Sequence, residues 1–333
     1  MKGLKILIVV TILVLLAVGF MACNEEVKAE GEYTIVSPDG APALALAGLA
    51  NNAQITETLK VSPTIVSSTL IKSEAIKADF AIVPANMASI IYNTGEEYKM
   101  IASITNGNMF IVAKENDENF SLENMKGKML YTIGQGSIPA MILLATLKAN
   151  NIPFEISETP VEGKVAIQYC ADGPALRTKI VSATSQVYGN LAEPAVSTFV
   201  KAGAMYKVAD LQELWQQATS SSIKGYAQAV LIAKKSLCEE KPEVVNEVLS
   251  KITIDIGKVY LEPEKAREAI KSIYEETSLK TPIDETIVQG CNLNVYKAKE
   301  YVDYIYNTLN MVYEMNPQAV GGSVPAKDSG FYY

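Results

Sequence analysis

The chain has 333 residues, 49% of them hydrophobic, and carries a formal charge of −8 with no histidine. Such length and composition allow two ordinary domains or one two-lobed body with a substantial core, and argue against global disorder. The acidic balance disfavours nucleic-acid binding, which needs a basic footprint, and the lack of histidine removes Ser-His-Asp and Cys-His catalysis, the usual zinc sites and the commonest general base.

At the start, Lys2 and Lys5 precede an apolar run from Ile6 to Met21 broken only by Thr11 and Gly19. A basic start, a short greasy core and a small residue at Ala22 make a secretion signal, shorter than the ~20 apolar residues that comfortably span a bilayer. Cys23 directly after Ala22 resembles the bacterial lipoprotein box, although Phe20 stands where leucine is usual; an uncleaved signal anchor is the alternative. The resemblance implies removal of residues 1–22, acylation of Cys23 and a polar tether over 23–30. Either way the rest of the chain is expected to work outside the cytoplasm, tied to a membrane.

The body opens with a strand at Tyr33–Ser37, a Pro/Gly turn over Pro38–Pro42 and an apolar helix from Ala43 to Ala50, the beginning of a βα unit. A strand near Lys60–Pro63, a helix over Ser67–Ile76 and a buried strand at Ala78–Val83 ending in Pro84-Ala-Asn86 continue the alternation. A helix over Met87–Tyr92 follows, then strands at Tyr98–Thr105 and Met109–Ala113 around the turn Asn106-Gly-Asn108.

After the charged break Lys114–Asn119, a second set begins with a short helix ending at Gly127, a strand over Lys128–Ile133 and a turn at Gly134-Gln-Gly-Ser137. Pro139–Asn150 is a strongly apolar helix with its proline near the start, where proline is tolerated. Strands are predicted at Phe154–Ile156, Gln186–Leu191, Met205–Leu211 and Tyr226–Ala233, with a helix over Pro174–Ser182. The remainder reads as helices over Pro242–Tyr260, Pro263–Glu276, Pro282–Cys291 and Tyr296–Tyr313, then a loop-like tail. Cys170, Cys238 and Cys291 are too widely spaced for a disulfide framework. One bridge between Cys238 and Cys291 is an alternative to free buried thiols.

Two α/β sets with a helical end describe a two-lobed α/β protein, and ligands in such sheets bind at the carboxyl ends of strands. Pro38–Ala43, Ala78–Asn86, Leu122–Lys128, Gly134–Ser137, Leu191-Ala-Glu-Pro194 and Pro325–Tyr333, in this order and spacing, resemble the periplasmic solute-binding proteins of ABC importers, in particular the nitrate/sulfonate/thiamine-precursor group. The resemblance implies an α/β, two-lobed periplasmic binding protein type II (Venus flytrap) fold with a helical C-terminal part. It implies a first lobe of residues 31–113 and 223–333, and a second of 114–222. The lobes would close on a small-molecule solute by hinge motion, and an ABC permease in the membrane would receive the closed form. No catalysis, cofactor, metal or nucleic-acid partner is expected, and the protein is expected to be a lipid-anchored monomer on the extracytoplasmic face.

The candidate ligand-binding residues are those at strand ends and crossovers. Asp39, Gly40 and Ala41 start a helix whose N–H groups favour an acceptor, or form a plain tight turn. Pro84 and Asn86 stand at the equivalent place, where the family holds ligand, though asparagine is also a routine helix cap. Asn106 and Asn108 either line the cleft or make an ordinary turn. Gly134, Gln135, Gly136 and Ser137 are the sharpest candidates: the glycines admit close backbone approach, Ser137 offers a hydroxyl, and no Lys-Ser/Thr pair follows to make a P-loop. Glu193 receives a ligand amine or ring N–H, caps a helix, or ties the lobes together. Tyr226 and Gln228 contact a ring or pack in the hinge. With no Arg or Lys in these loops, a neutral or heterocyclic organic solute such as a vitamin precursor edges ahead of sulfonate or nitrate. Two further readings are a ligand-sensing surface lipoprotein without transport, and an enzyme on the same fold. The thiamine-pyrimidine synthases that resemble this group consume their own histidine, which this chain lacks.

Overall fold

A computed structural model of the chain describes residues 27–333. The signal segment 1–22, the acylation candidate Cys23 and the start of the tether lie outside the described residues. The first lobe is built from β1 (Gly31–Pro38), α1 (Ala41–Leu44), α2 (Ala47–Asn51), β2 (Leu59–Val66), α3 (Ile71–Ala75), β3 (Phe80–Pro84), α4 (Ala85–Asn93) and β4 (Tyr98–Thr105). The second takes β5 (Met109–Ala113), β6 (Met129–Ile133), α5 (Ile138–Ala149), β7 (Phe154–Ile156) and β8 (Val165–Cys170). It continues with α6 (Gly173–Ser182), β9 (Tyr188–Ala192), α7 (Ala195–Lys201), β10 (Tyr206–Asp210) and α8 (Leu211–Thr219). The chain then returns to the first lobe through β11 (Ala229–Lys234), α9 (Lys235–Glu240), α10 (Pro242–Leu261), α11 (Pro263–Ile273), α12 (Glu285–Cys291), β12 (Leu293–Lys297) and α13 (Val302–Met315).

Each lobe holds a six-stranded sheet, ordered β12-β4-β11-β3-β1-β2 in the first and β10-β5-β9-β6-β8-β7 in the second. β1 pairs in parallel with β2 and β3, and β6 pairs in parallel with β8 and β9. Beside the last parallel strand, each sheet receives one antiparallel strand laid down as the chain crosses over: β11 against β3, and β5 against β9. The sequence reading put Met109–Ala113 in the first lobe, and the structure corrects this. A short, wholly apolar strand carries no label for its sheet, and its partners decide: Met109 faces Ala192 and Ala113 faces Tyr188. The crossover therefore falls at Asn106–Asn108.

Other elements also differ from the sequence expectations. Val165–Cys170 is a strand, and Ala195–Lys201 a helix, that the sequence pattern does not predict. The predicted strand from Tyr226 begins at Ala229, and the predicted helix from Tyr296 begins at Val302, because Leu293–Lys297 pairs antiparallel with β4 as an edge strand. Asn294 and Lys297 disguise β12, since an edge strand half open to solvent needs no continuous apolar pattern.

The helices form where apolar spacing permits. α10 buries Val244, Val245, Val248, Leu249, Ile252, Ile256 and Val259 at helical intervals against the first sheet. α5 is buried almost all round, which is why it reads as uniformly apolar. α13 lays Ile305, Leu309 and Val312, all fully buried, into a core that includes Met100 and Ile232 of the first sheet and Ile111 and Ile142 of the second lobe. Burying each of these side chains stabilises by about 1.5–3 kcal/mol relative to exposure. α13 thus ties the lobes on the side of the crossovers.

Candidate ligand-binding cleft

The carboxyl ends of the parallel strands are occupied by loops that enter helices: Asp39–Gly40 after β1, Pro84 after β3, Gly134–Ser137 after β6 and Glu193–Pro194 after β9. The structure adds two such ends beyond the sequence candidates, Ser67–Leu70 after β2 and Ala171–Asp172 after β8.

Gly134–Ser137 keeps its predicted character. Gly134 (φ +69°) and Gly136 (φ +79°) adopt the left-handed conformation that glycine allows without penalty. Ser137 N–H donates to the Gly134 carbonyl at 2.8 Å, closing the turn just before α5. A helix leaves its first N–H groups without intrahelical acceptors. Here the Ser137 side chain does not cap them, and no acidic residue stands in the first turn. Gly134 and Gln135 are exposed, and Gly136 and Ser137 are half-buried. This loop offers backbone donors, one amide and one hydroxyl to an uncharged or acceptor-rich ligand.

Asp39 does something else. Its carboxylate accepts the Thr277 hydroxyl at 2.5 Å and the Ser278 N–H at 2.6 Å, so it organises the loop between α11 and α12. Gly40 (φ +95°) remains half-exposed beside it and Ala41 is buried. Asn86 is also otherwise engaged. Its Nδ2 donates to the Ala319 carbonyl at 2.9 Å, while Ser89 and Asn93 bind the carbonyls of Val320 and Ser323, so α4 clamps the C-terminal tail. Pro84 stays half-exposed at the end of β3.

Asn106, Asn108, Glu193, Tyr226 and Gln228 are brought together at the crossovers, where the side chains of Asn106, Asn108, Glu193 and Gln228 bind one another or neighbouring groups and the buried Tyr226 hydroxyl finds no hydrogen-bond partner among the described residues. Asn106 is fully buried: its Oδ1 accepts the hydroxyls of Ser103 (2.8 Å) and Tyr304 (3.3 Å), and its Nδ2 donates to the Asn294 carbonyl (3.0 Å). Gln228 Nε2 donates to Asn108 Oδ1 at 2.8 Å, and Asn108 Nδ2 donates to the Glu193 carbonyl at 3.0 Å. The Glu193 carboxylate accepts the Ser197 hydroxyl (2.7 Å) and N–H (3.0 Å). Tyr226 is wholly buried, edge-on to Trp215 with centroids 6.0 Å apart. Burial holds its phenol far above the ordinary range, with the Asp210 charge adding to the effect. Gln212, which the sequence reading passed over, binds both the N–H (2.9 Å) and the carbonyl (3.0 Å) of Met109. Tyr226 thus packs against Trp215, and Gln228 bonds Asn108.

The lobes also touch away from the crossovers. Thr277–Asp284, fixed to the first lobe by Asp39 and by burial of Leu279 and Ile283, reaches α7 of the second. Thr198 and Thr281 share a 3.0 Å hydrogen bond, and Lys201 pairs with Asp284 at 2.6 Å. Cys170, Cys238 and Cys291 are free thiols, and burial pushes Cys238 up to about 11.

No protein-family model and no curated protein matches the chain. Among solved structures, an ABC transporter protein from Parabacteroides distasonis aligns at 21% identity and TM-score 0.70, covering 90% of this chain and 98% of its own. The periplasmic aliphatic sulphonate binding protein SsuA from Escherichia coli aligns at 13% identity and TM-score 0.63, covering 92% of each chain. A Candida albicans protein, described as founding a new family with the generic periplasmic binding protein fold, aligns at 10% identity and TM-score 0.54 over 86% of this chain and 91% of its own. Two sheets of this order, joined by two crossovers and matched along nearly their whole length, make this chain a two-lobed α/β protein with the periplasmic binding protein fold.

Proposed function

We propose that this chain is the extracytoplasmic substrate-binding lipoprotein of an ABC importer, anchored through Cys23, which captures a small organic solute between its lobes and delivers it to a permease. The observation that carries this reading is the near-complete overlay on the Parabacteroides distasonis ABC transporter protein, whose length this chain matches over 98%. The SsuA overlay, whose protein binds aliphatic sulphonates, supports the same reading. So does the run of signal-like residues before Cys23.

Ligand class follows from what the strand-end loops can still offer. The carboxylates of Asp39 and Glu193 are already hydrogen-bonded within the protein, and Asp172 caps α6 through Ala175 N–H. Gly134–Ser137 supplies neutral donors and acceptors without a guanidinium or ammonium. A neutral or heterocyclic solute suits such a surface better than a bare oxyanion, which calls for an Arg fork or several N–H dipoles. Binding without turnover fits a chain with no histidine.

A thermal-shift screen against vitamins, pyrimidines, sulfonates, nitrate and amino acids tests this. A solute that binds only the folded state adds about 2.7 kcal/mol at a hundredfold over its dissociation constant. A shift with one unmodified solute is the expected result; chemical conversion of that solute by the purified protein would instead favour an enzyme.

A further inference from the structure

Asp39, Thr277–Asp284 and α7 together form a continuous polar bridge from the strand ends of the first lobe to the second. The Thr277–Asp284 segment is held firmly on its own side. Asp39 takes Thr277 and Ser278, and Thr277 Oγ1 accepts the Leu279 N–H at 3.2 Å. Arg267 binds the Leu279 carbonyl at 3.3 Å, and Glu264 accepts the Ile283 N–H at 3.1 Å. Leu279 and Ile283 are buried in the first-lobe core. On the far side, the segment meets the second lobe through Thr281–Thr198 and Asp284–Lys201. A rigid ledge on one lobe therefore meets one helix of the other through two contacts that any parting of the lobes at this edge must break.

We infer that this ledge and α7 form an ionic latch, in which the Lys201–Asp284 pair, seconded by Thr198 and Thr281, biases the two lobes toward the arrangement in which they touch at this edge and against their parting there. The retention of a solute by this latch rests on the proposed receptor function; the bias itself does not. Both charged side chains are more than half exposed, at 59% and 53%. Exposed pairs contribute little individually and are screened by salt. The latch is accordingly a trim on the equilibrium, about two- to fivefold in the open population, and not a lock. A weak latch suits a device that must open again to release its load.

The test is inter-lobe distance by pulsed electron resonance on the full-length chain in detergent without added solute. Spin labels go on ketone-bearing residues at Glu57 in the first lobe and Glu158 in the second, both exposed, so that native thiols are untouched. Lys201→Glu, or 1 M salt on the unaltered chain, is expected to raise the longer-distance population about two- to fivefold. Lys77→Glu, which breaks the Lys77–Glu74 pair inside the first lobe, is the control and leaves the distribution unchanged. Asp284 also caps α12 by accepting the Ile287 N–H at 3.0 Å, so variants there risk the fold. Lys201→Glu spares that cap, and a thermal melt matching the unaltered chain shows that it folds. Identical distance distributions for Lys201→Glu, high salt and the control would overturn the latch. Because no solute is present, that result would leave the receptor reading standing.

Discussion

The crossovers and the strand-end loops are made from much the same residue types, asparagine, glutamine, serine and glycine, yet they use them in opposite ways. At the crossovers most polar groups are satisfied within the protein, as with the buried Asn106 and Asn108 and the half-buried Gln228, while the hydroxyls of Thr105 and Tyr226 are left without a partner among the described residues. In Gly134–Ser137 the same chemistry is left half-exposed in front of a helix that its serine does not cap. Composition alone does not separate a hinge from a binding loop; what separates them is whether the hydrogen-bonding capacity is already filled. A buried unfilled group costs about 1–3 kcal/mol, so the filled network contributes to stability, and the open one keeps the donors and acceptors that the proposed solute would use.

The largest break in this contrast should come from Gly225 (φ +94°), where an added Cβ would sit 1.9 Å from the Asn106 carbonyl oxygen. Gly225→Ala is expected to cost roughly 3 kcal/mol or more, read as a lowered denaturant midpoint; an unchanged midpoint would mean the crossover is not tightly packed. Next come Asn108→Ala and Gln228→Ala. Each is expected to cost about 1–3 kcal/mol by leaving its partner unpaired, and the double variant less than the sum, because both singles break the Gln228–Asn108 side-chain bond. Additive losses would show that the pair is not a unit.

A smaller effect lies just before β3, at the opposite end of that strand from Pro84, and sharpens the contrast by pH. Burial alone would push the Asp79 carboxyl up, but Lys234 at 2.9 Å and the N–H and hydroxyl of Thr34 outweigh it and hold the group below its ordinary 3.8. A carboxyl depressed on folding contributes stability above its unfolded value and loses it as pH falls through the folded one. Asp79→Asn should therefore be less stable than the unaltered chain at neutral pH, with the gap narrowing as pH drops below 3.8; a gap that persists in acid would assign the loss to packing. Smallest in stability is Gln135→Ala. It should change the midpoint by less than about 0.5 kcal/mol while weakening solute binding about three- to tenfold, as one hydrogen bond is lost.

Much of this was legible because it is local. Strand, Gly/Pro turn and apolar helix recur within a few residues, so β4, β5 and β7 appear where the sequence places them, and Gly134–Ser137 announces itself by two glycines before an apolar helix. What was not legible depends on distant partners. Nothing near Asp39 in the sequence shows that Thr277, 238 positions away, binds its carboxylate. Nothing near Asn86 shows that its amide reaches the tail carbonyl of Ala319, 233 positions on. Met109–Ala113 is apolar enough for either sheet, and only its pairing with Tyr188–Ala192 assigns it to the second. The ledge carries just one local mark, Asp284 as an N-cap before Glu285, which says nothing of Lys201 across the cleft.

Amide hydrogen exchange, with and without the solute that stabilises the protein in the thermal screen, decides whether solute meets the strand-end loops or the filled crossover. New protection is expected at Gly134–Met141 and around Gly40, with Asn106–Asn108 and Tyr226–Gln228 already slow and little changed. Protection gained chiefly at those crossover segments, with Gly134–Met141 exchanging as before, would contradict that expectation.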